Sequence, residues 1–111
     1  MNDNARPPAY VVLSGELDLF RKNEVRAAFP DPGAVGSVVV NCTRAAYIDS
    51  TIIGMLVGLR RDFVSAGGDP ANFILLTNKE SIVCRALDLA GVTKLFAMAF
   101  VERTLAERGT V

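Results

Sequence analysis

Tyr47-Ile48-Asp49-Ser50-Thr51-Ile52-Ile53-Gly54-Met55 is the stretch that decides how this chain folds. Upstream, residues 37–41 carry Val38-Val39-Val40, a β-branched run that suits a pleated sheet. Downstream, Ile52, Leu56, Leu59 and Phe63 recur at the spacing of one helix face, and Ile53 and Met55 widen the apolar surface. Between the two runs, Asp49, Ser50 and Thr51 offer side-chain oxygens that accept from the unpaired N–H groups of a first helical turn. The stretch predicts a strand, a short turn, and a helix from residue 50 to about residue 66. Ser50 then reads either as a plain N-cap or as a hydroxyl held where the helix dipole and free amides tolerate a phosphate.

The same alternation extends in both directions. Residues 10–14 (Tyr-Val-Val-Leu-Ser) form a continuous apolar run, the pattern of a strand covered on both faces. After Gly15-Glu16-Leu17, Asp18 is placed to cap a helix over residues 19–29, with Val25, Ala28 and Phe29 inward and Pro30-Asp31-Pro32-Gly33 as its stop. Arg60, Arg61 and Asp62 fall on the outer, C-terminal end of the long helix, which Gly67-Gly68-Asp69-Pro70 ends. Residues 73–77 (Phe-Ile-Leu-Leu-Thr) predict a third strand. Asn78 is expected to cap a helix through residue 90, with Ile82, Val83, Ala86, Leu87 and Ala90 inward and Gly91 closing it. Residues 95–99 predict a fourth strand and residues 101–108 a last helix. Short strands alternating with amphipathic helices define an α/β fold with a mostly parallel, four- to five-stranded sheet and about four helices. Asp18, Asp49-Ser50-Thr51 and Thr77-Asn78 are all strand-to-helix junctions, so they are expected at one end of the molecule.

Composition excludes several classes. The 111 residues suit one domain, 1–111, with residues 1–8 a flexible tail or short edge strand. Half are hydrophobic, as in a globular protein. Lys+Arg and Asp+Glu are equal at 12 each, which gives no electrostatic case for nucleic acid or an anionic membrane. No apolar run is long enough to span a bilayer and no secretory leader is visible, so a cytoplasmic location is expected. The chain has no histidine, which removes Ser-His-Asp and Cys-His catalysis. Cys42 and Cys84 belong to no metal-ligand cluster, so neither a metal nor another cofactor is expected, and both thiols read as small buried hydrophobes. No phosphate-binding Gly-rich loop with lysine is present, so no catalytic residue is assigned and the chain is not expected to be an enzyme.

Three landmarks in order resemble the STAS domain family, the fold of bacterial anti-sigma factor antagonists. The first is Leu13-Ser14-Gly15-Glu16-Leu17-Asp18. The second is Val38-Val39-Val40-Asn41 followed by Ile48-Asp49-Ser50-Thr51-Ile52-Ile53-Gly54. The third is Gly67-Gly68, a strand, and Leu87-Asp88-Leu89-Ala90-Gly91-Val92-Thr93-Lys94-Leu95-Phe96. The resemblance implies that Ser50 is phosphorylated by an anti-sigma factor with serine kinase activity, and that a phosphatase restores it. It also implies that the unmodified chain binds that factor and releases a sigma factor. Asp18, Asp49, Ser50, Thr51 and Gly54 are the implied partner-binding residues, with Thr51 a secondary acceptor behind Ser50. Ile52 stands where the family usually has glycine, which predicts a bulkier surface beside the acceptor and narrower kinase access. The alternative the resemblance allows is a STAS scaffold subunit that is never phosphorylated, in a stress assembly or a lipid-transport complex. Leu19 and Phe20 read either as core residues or as an apolar anchor beside the same site.

Overall fold

The computed structural model describes residues 6–101. The β-branched and aromatic runs pair into one sheet in chain order: β1 (Pro8–Leu17), β2 (Ser37–Ile48), β3 (Phe73–Asn78) and β4 (Ala97–Val101), every pairing parallel. The connections carry α1 (Lys22–Ala27), α2 (Ser50–Ser65) and α3 (Ile82–Leu89). Because the strand order never reverses, right-handed crossovers place all three helices on the same face.

Burial follows that geometry. Val11, Leu13, Val38, Val40, Cys42, Phe73, Leu75 and Thr77 are buried on the helix side of the sheet. Their alternates differ: Tyr10 and Val12 are exposed, and Val39, Ile74 and Leu76 are half-buried. The two-sided burial expected of β1 is therefore corrected, since its apolar run is covered on one face only. Phe73 centres the core, with ring centroids 5.8 Å from Phe63, 6.2 Å from Phe96 and 6.4 Å from Phe29. From α2, Ile52, Ile53, Met55, Leu56 and Phe63 are buried and Leu59 is half-buried, close to the predicted stripe. The helix ends as its glycines require: Gly67 has φ +98°, and the Gly68 amide donates to the Phe63 carbonyl (2.9 Å), closing the last turn. A Cβ on Gly68 would clash with the Phe63 ring, so the position admits only glycine without repacking.

Several boundaries differ from the sequence reading, each for a local reason. The first helix is shorter: a 3-10 turn (Leu19–Arg21) precedes α1, because Asp18 caps the turn at Phe20 and the Arg21 backbone (φ −102°, ψ 7°) interrupts helical geometry. Ala28 is exposed. β2 runs on to Ile48 instead of stopping at residue 41, because residues 44–48 keep pairing with β1 across two register shifts. Asn78 is the last residue of β3 and does not cap α3; Ser81 does, and Ile82 and Ala90 point outward. The fourth strand is shifted to Ala97–Val101. The helix predicted over residues 101–108 falls, beyond Val101, outside the described residues, as do residues 1–5 of the predicted tail.

Candidate functional site

The site grows out of the register between β1 and β2. Their ends pair as Leu17↔Ile48, both buried, and the next residues, Asp18 and Asp49, turn the chain into helical structure. The Asp49 amide donates to the Leu17 carbonyl (3.0 Å), which locks the two turns together. Asp49 itself caps α2: its Oδ1 accepts from the Ile52 amide at 3.0 Å. Its second oxygen, Oδ2, accepts from the Leu19 amide at 2.9 Å, thirty residues away in sequence. Asp18 caps its own turn, accepting from the Phe20 amide at 3.1 Å.

With Asp49 as the cap, Ser50 becomes the first residue of the helix and is exposed. Its hydroxyl makes no hydrogen bond among the described residues. Thr51 and Gly54 are exposed beside it, and no atom lies within 4 Å of a Cβ added to Gly54. Gly54 is therefore not required by the packing of the chain itself. Ile52 is 0% exposed. Its side chain lies in the core, so the crowding of the acceptor surface predicted from a β-branched residue there does not occur.

The structure brings Asp18, Asp49, Ser50, Thr51 and Gly54 to one end of the β1–β2 pair but leaves Asn78 apart. β2 pairs with β3 only as far as Asn41↔Leu76, and the Asn78 side chain donates to the Thr43 carbonyl (2.9 Å). Beyond Thr43, five residues of β2 run on to Ile48, about 15 Å of extended chain. The Asn78 junction therefore stops well short of Ser50.

Arg21 is a participant that sequence reasoning missed. Its Nη1 donates to the carbonyl oxygens of Ser14 and Glu16 (3.1 Å to Glu16), and its Nη2 pairs with Glu24 at 2.7 Å. These bonds fasten the 3-10 turn to the irregular end of β1, where Gly15 takes a φ of +78° that other residues avoid. The Glu24 hydrogen bond raises the Arg21 guanidinium above its ordinary pKa and holds the Glu24 carboxyl below its own. The signal was present, an arginine three residues before a glutamate, but its carbonyl partners depend on the tertiary fold. Leu19 and Phe20, left open by the sequence, are exposed; Phe20 is 91% exposed.

Among the described residues no group of three or more His, Cys, Asp or Glu is arranged to hold a metal. No described helix is long and apolar enough to cross a membrane. Cys42 is buried and Cys84 half-buried, both as free thiols. Burial pushes the Cys42 thiol up to about 12.

A sheet of four parallel strands in chain order, carrying three helices, matches the STAS domain fold. The family model for that domain matches residues 3–107, and the chain belongs to the family. Among solved structures it is similar to the anti-sigma factor antagonist SpoIIAA in its unphosphorylated form, with a TM-score of 0.65 and 25% sequence identity. The match covers 96% of this chain and 92% of that one. A search of curated protein sequences returned no match.

Proposed function

We propose that this chain is an anti-sigma factor antagonist whose binding is switched by phosphorylation of Ser50. The unmodified chain binds an anti-sigma factor with serine kinase activity and so frees a sigma factor. In that complex the Ser50 Oγ attacks the γ-phosphorus of ATP, its proton passes to a base of the kinase, and ADP departs. A phosphatase reverses the modification by hydrolysis. The chain is a substrate and binding partner in this cycle and not itself an enzyme. It acts in the cytoplasm, without touching nucleic acid or membrane directly.

One observation carries the reading: Asp49, not Ser50, caps α2. A capping serine would have its hydroxyl occupied, whereas Ser50 stands exposed at the first helical position. Phosphate there adds about −1.5 to −2 charges beside a helix N-terminus that tolerates them, so the fold survives. The same charge, next to Asp49 and near Asp18, opposes a packed partner surface. The likeness to SpoIIAA, described as an anti-sigma factor antagonist in its unphosphorylated form, supports the same reading. The Ile52 side chain is buried and so does not crowd the surface beside Ser50, which supports access by a kinase.

The test is to incubate the chain with ATP and each serine-kinase anti-sigma factor of its own genome, then map phosphate by mass spectrometry. Phosphate on Ser50, absent from Ser50→Ala, is the expected result. Phosphate on no residue, with no complex formed, would overturn the proposal.

A further inference from the structure

Asp49 serves two segments with one carboxylate. Oδ1 holds the first turn of α2 through the Ile52 amide, and Oδ2 holds the Leu19 amide at the head of the 3-10 turn that presents Phe20. We infer that Asp49 is the joint through which phosphorylation of Ser50 loosens the hold on that turn, so that modification also unfastens the exposed Leu19–Phe20 surface from α2. The inference rests on the reading of Ser50 as the acceptor and adds how the modification is transmitted.

The physical basis is competition for donors. A phosphoserine at the first helical position brings three acceptor oxygens and a near-dianion to the same first-turn amides that Asp49 uses. Two anions on adjacent residues repel, and the phosphate carries the larger charge and is flanked by more unpaired amides. The Asp49 carboxylate therefore rotates away or is drawn wholly to one donor. Leu19 is the donor most easily given up, because its segment is bound from outside the helix. The 3-10 turn has its own internal bonds, Phe20 amide to Asp18 Oδ1 and Arg21 amide to the Asp18 carbonyl (3.0 Å), so it keeps its shape. What it loses is its side-chain tether to α2, leaving the Arg21 clamp on β1 and the backbone bond from the Asp49 amide to the Leu17 carbonyl. A 91% exposed phenylalanine on a fixed turn is a well-defined contact, and on a loosened turn it is a poorer one.

The experiment uses the full chain with phosphoserine installed at position 50 during synthesis, alongside Asp49→Asn. Asparagine caps a helix as well as aspartate through its single oxygen, but its amide nitrogen cannot accept from Leu19. Backbone amide exchange with water is read residue by residue by NMR. Both chains are expected to show Leu19 exchanging about tenfold faster, the scale of one lost hydrogen bond to a charged group, with Ile52 and the rest of α2 unchanged. A Leu19 amide within twofold of the unmodified chain, in either the phosphoserine chain or Asp49→Asn, would overturn the inference. The phosphate is installed without a kinase, so this result is independent of whether any kinase modifies Ser50.

Discussion

Two junctions of this molecule begin a helix with a serine, and they use it in opposite ways. At the β2–α2 junction the helix starts directly after the strand, Asp49 supplies the cap, and Ser50 is left exposed. At the β3–α3 junction, Lys79 and Glu80 intervene and Ser81 is itself the cap, its Oγ accepting from the Cys84 amide at 3.0 Å. Ser81 is half-buried and its hydroxyl occupied. The first junction is also fastened to its neighbour through Leu19, while Asn78 of the second reaches sideways to Thr43. A serine at a helix start is thus not informative by itself; what matters is which residue holds the first-turn amides.

The largest expected difference is in binding. Ser50→Asp should weaken the complex with the anti-sigma factor about a hundredfold, the scale of one hot-spot contact, while Ser81→Asp stays within about twofold, as measured by calorimetry. Equal losses at both sites would erase the distinction between the junctions. In urea unfolding, Asp49→Ala should cost about 2–3 kcal/mol, since it removes a cap and a second charged acceptor together. Ser81→Ala loses only a cap and should cost about 1 kcal/mol.

The strand leading into the first junction adds a pH dependence. Cys42 is raised to about 12 by burial, so the folded chain keeps its proton where the unfolded chain loses it. The stability this thiol contributes is whole below the unfolded value and is lost as pH rises towards 12. By pH 10 the loss should amount to about 1.5 kcal/mol, and Cys42→Val should abolish it when unfolding curves at pH 8 and pH 10 are compared. The half-buried Cys84, in the first turn of α3, should react with a thiol reagent well before Cys42 does. The smallest effect belongs to Thr77, whose buried Oγ1 has no hydrogen-bond partner among the described residues. Thr77→Val should change stability by less than about 1 kcal/mol, in the stabilising direction.

Much of this was legible in the sequence where local signals agreed. The β-branched run at Val38-Val39-Val40, the helical spacing of Ile52, Leu56 and Phe63, and the Gly67-Gly68 stop each specify one outcome, and the fold follows them. Asp49 and Ser50 were both recognisable as capping types, but their division of labour was not, because it depends on backbone angles at the turn. Asn78 misled for a similar reason: as a capping type it competed with Ser81, and the ladder to β4 extended the strand through it. Ile52 carried two readings that pulled apart, a member of the inner stripe of its helix and a bulky residue beside the acceptor; the spacing was the right one, and in place it is a core residue. The Asp49–Leu19 bond and the Arg21 clamp link residues far apart in the chain or bind carbonyls, and neither carries a local pattern.

The extension of β2 beyond β3 has a consequence for how such proteins coexist in one cell. Residues 44–48 pair with β1 alone, so Asp18, Asp49 and Ser50 stand on a ribbon that projects past the rest of the sheet. The ribbon meets the core mainly through Leu17 and Ile48. Exposed positions such as Glu16, Phe20 and Tyr47 can therefore change without disturbing the Phe73 core. Duplicated copies could acquire separate partners by editing that prow alone, each rejecting the other's partner through mismatched contacts while sharing one scaffold.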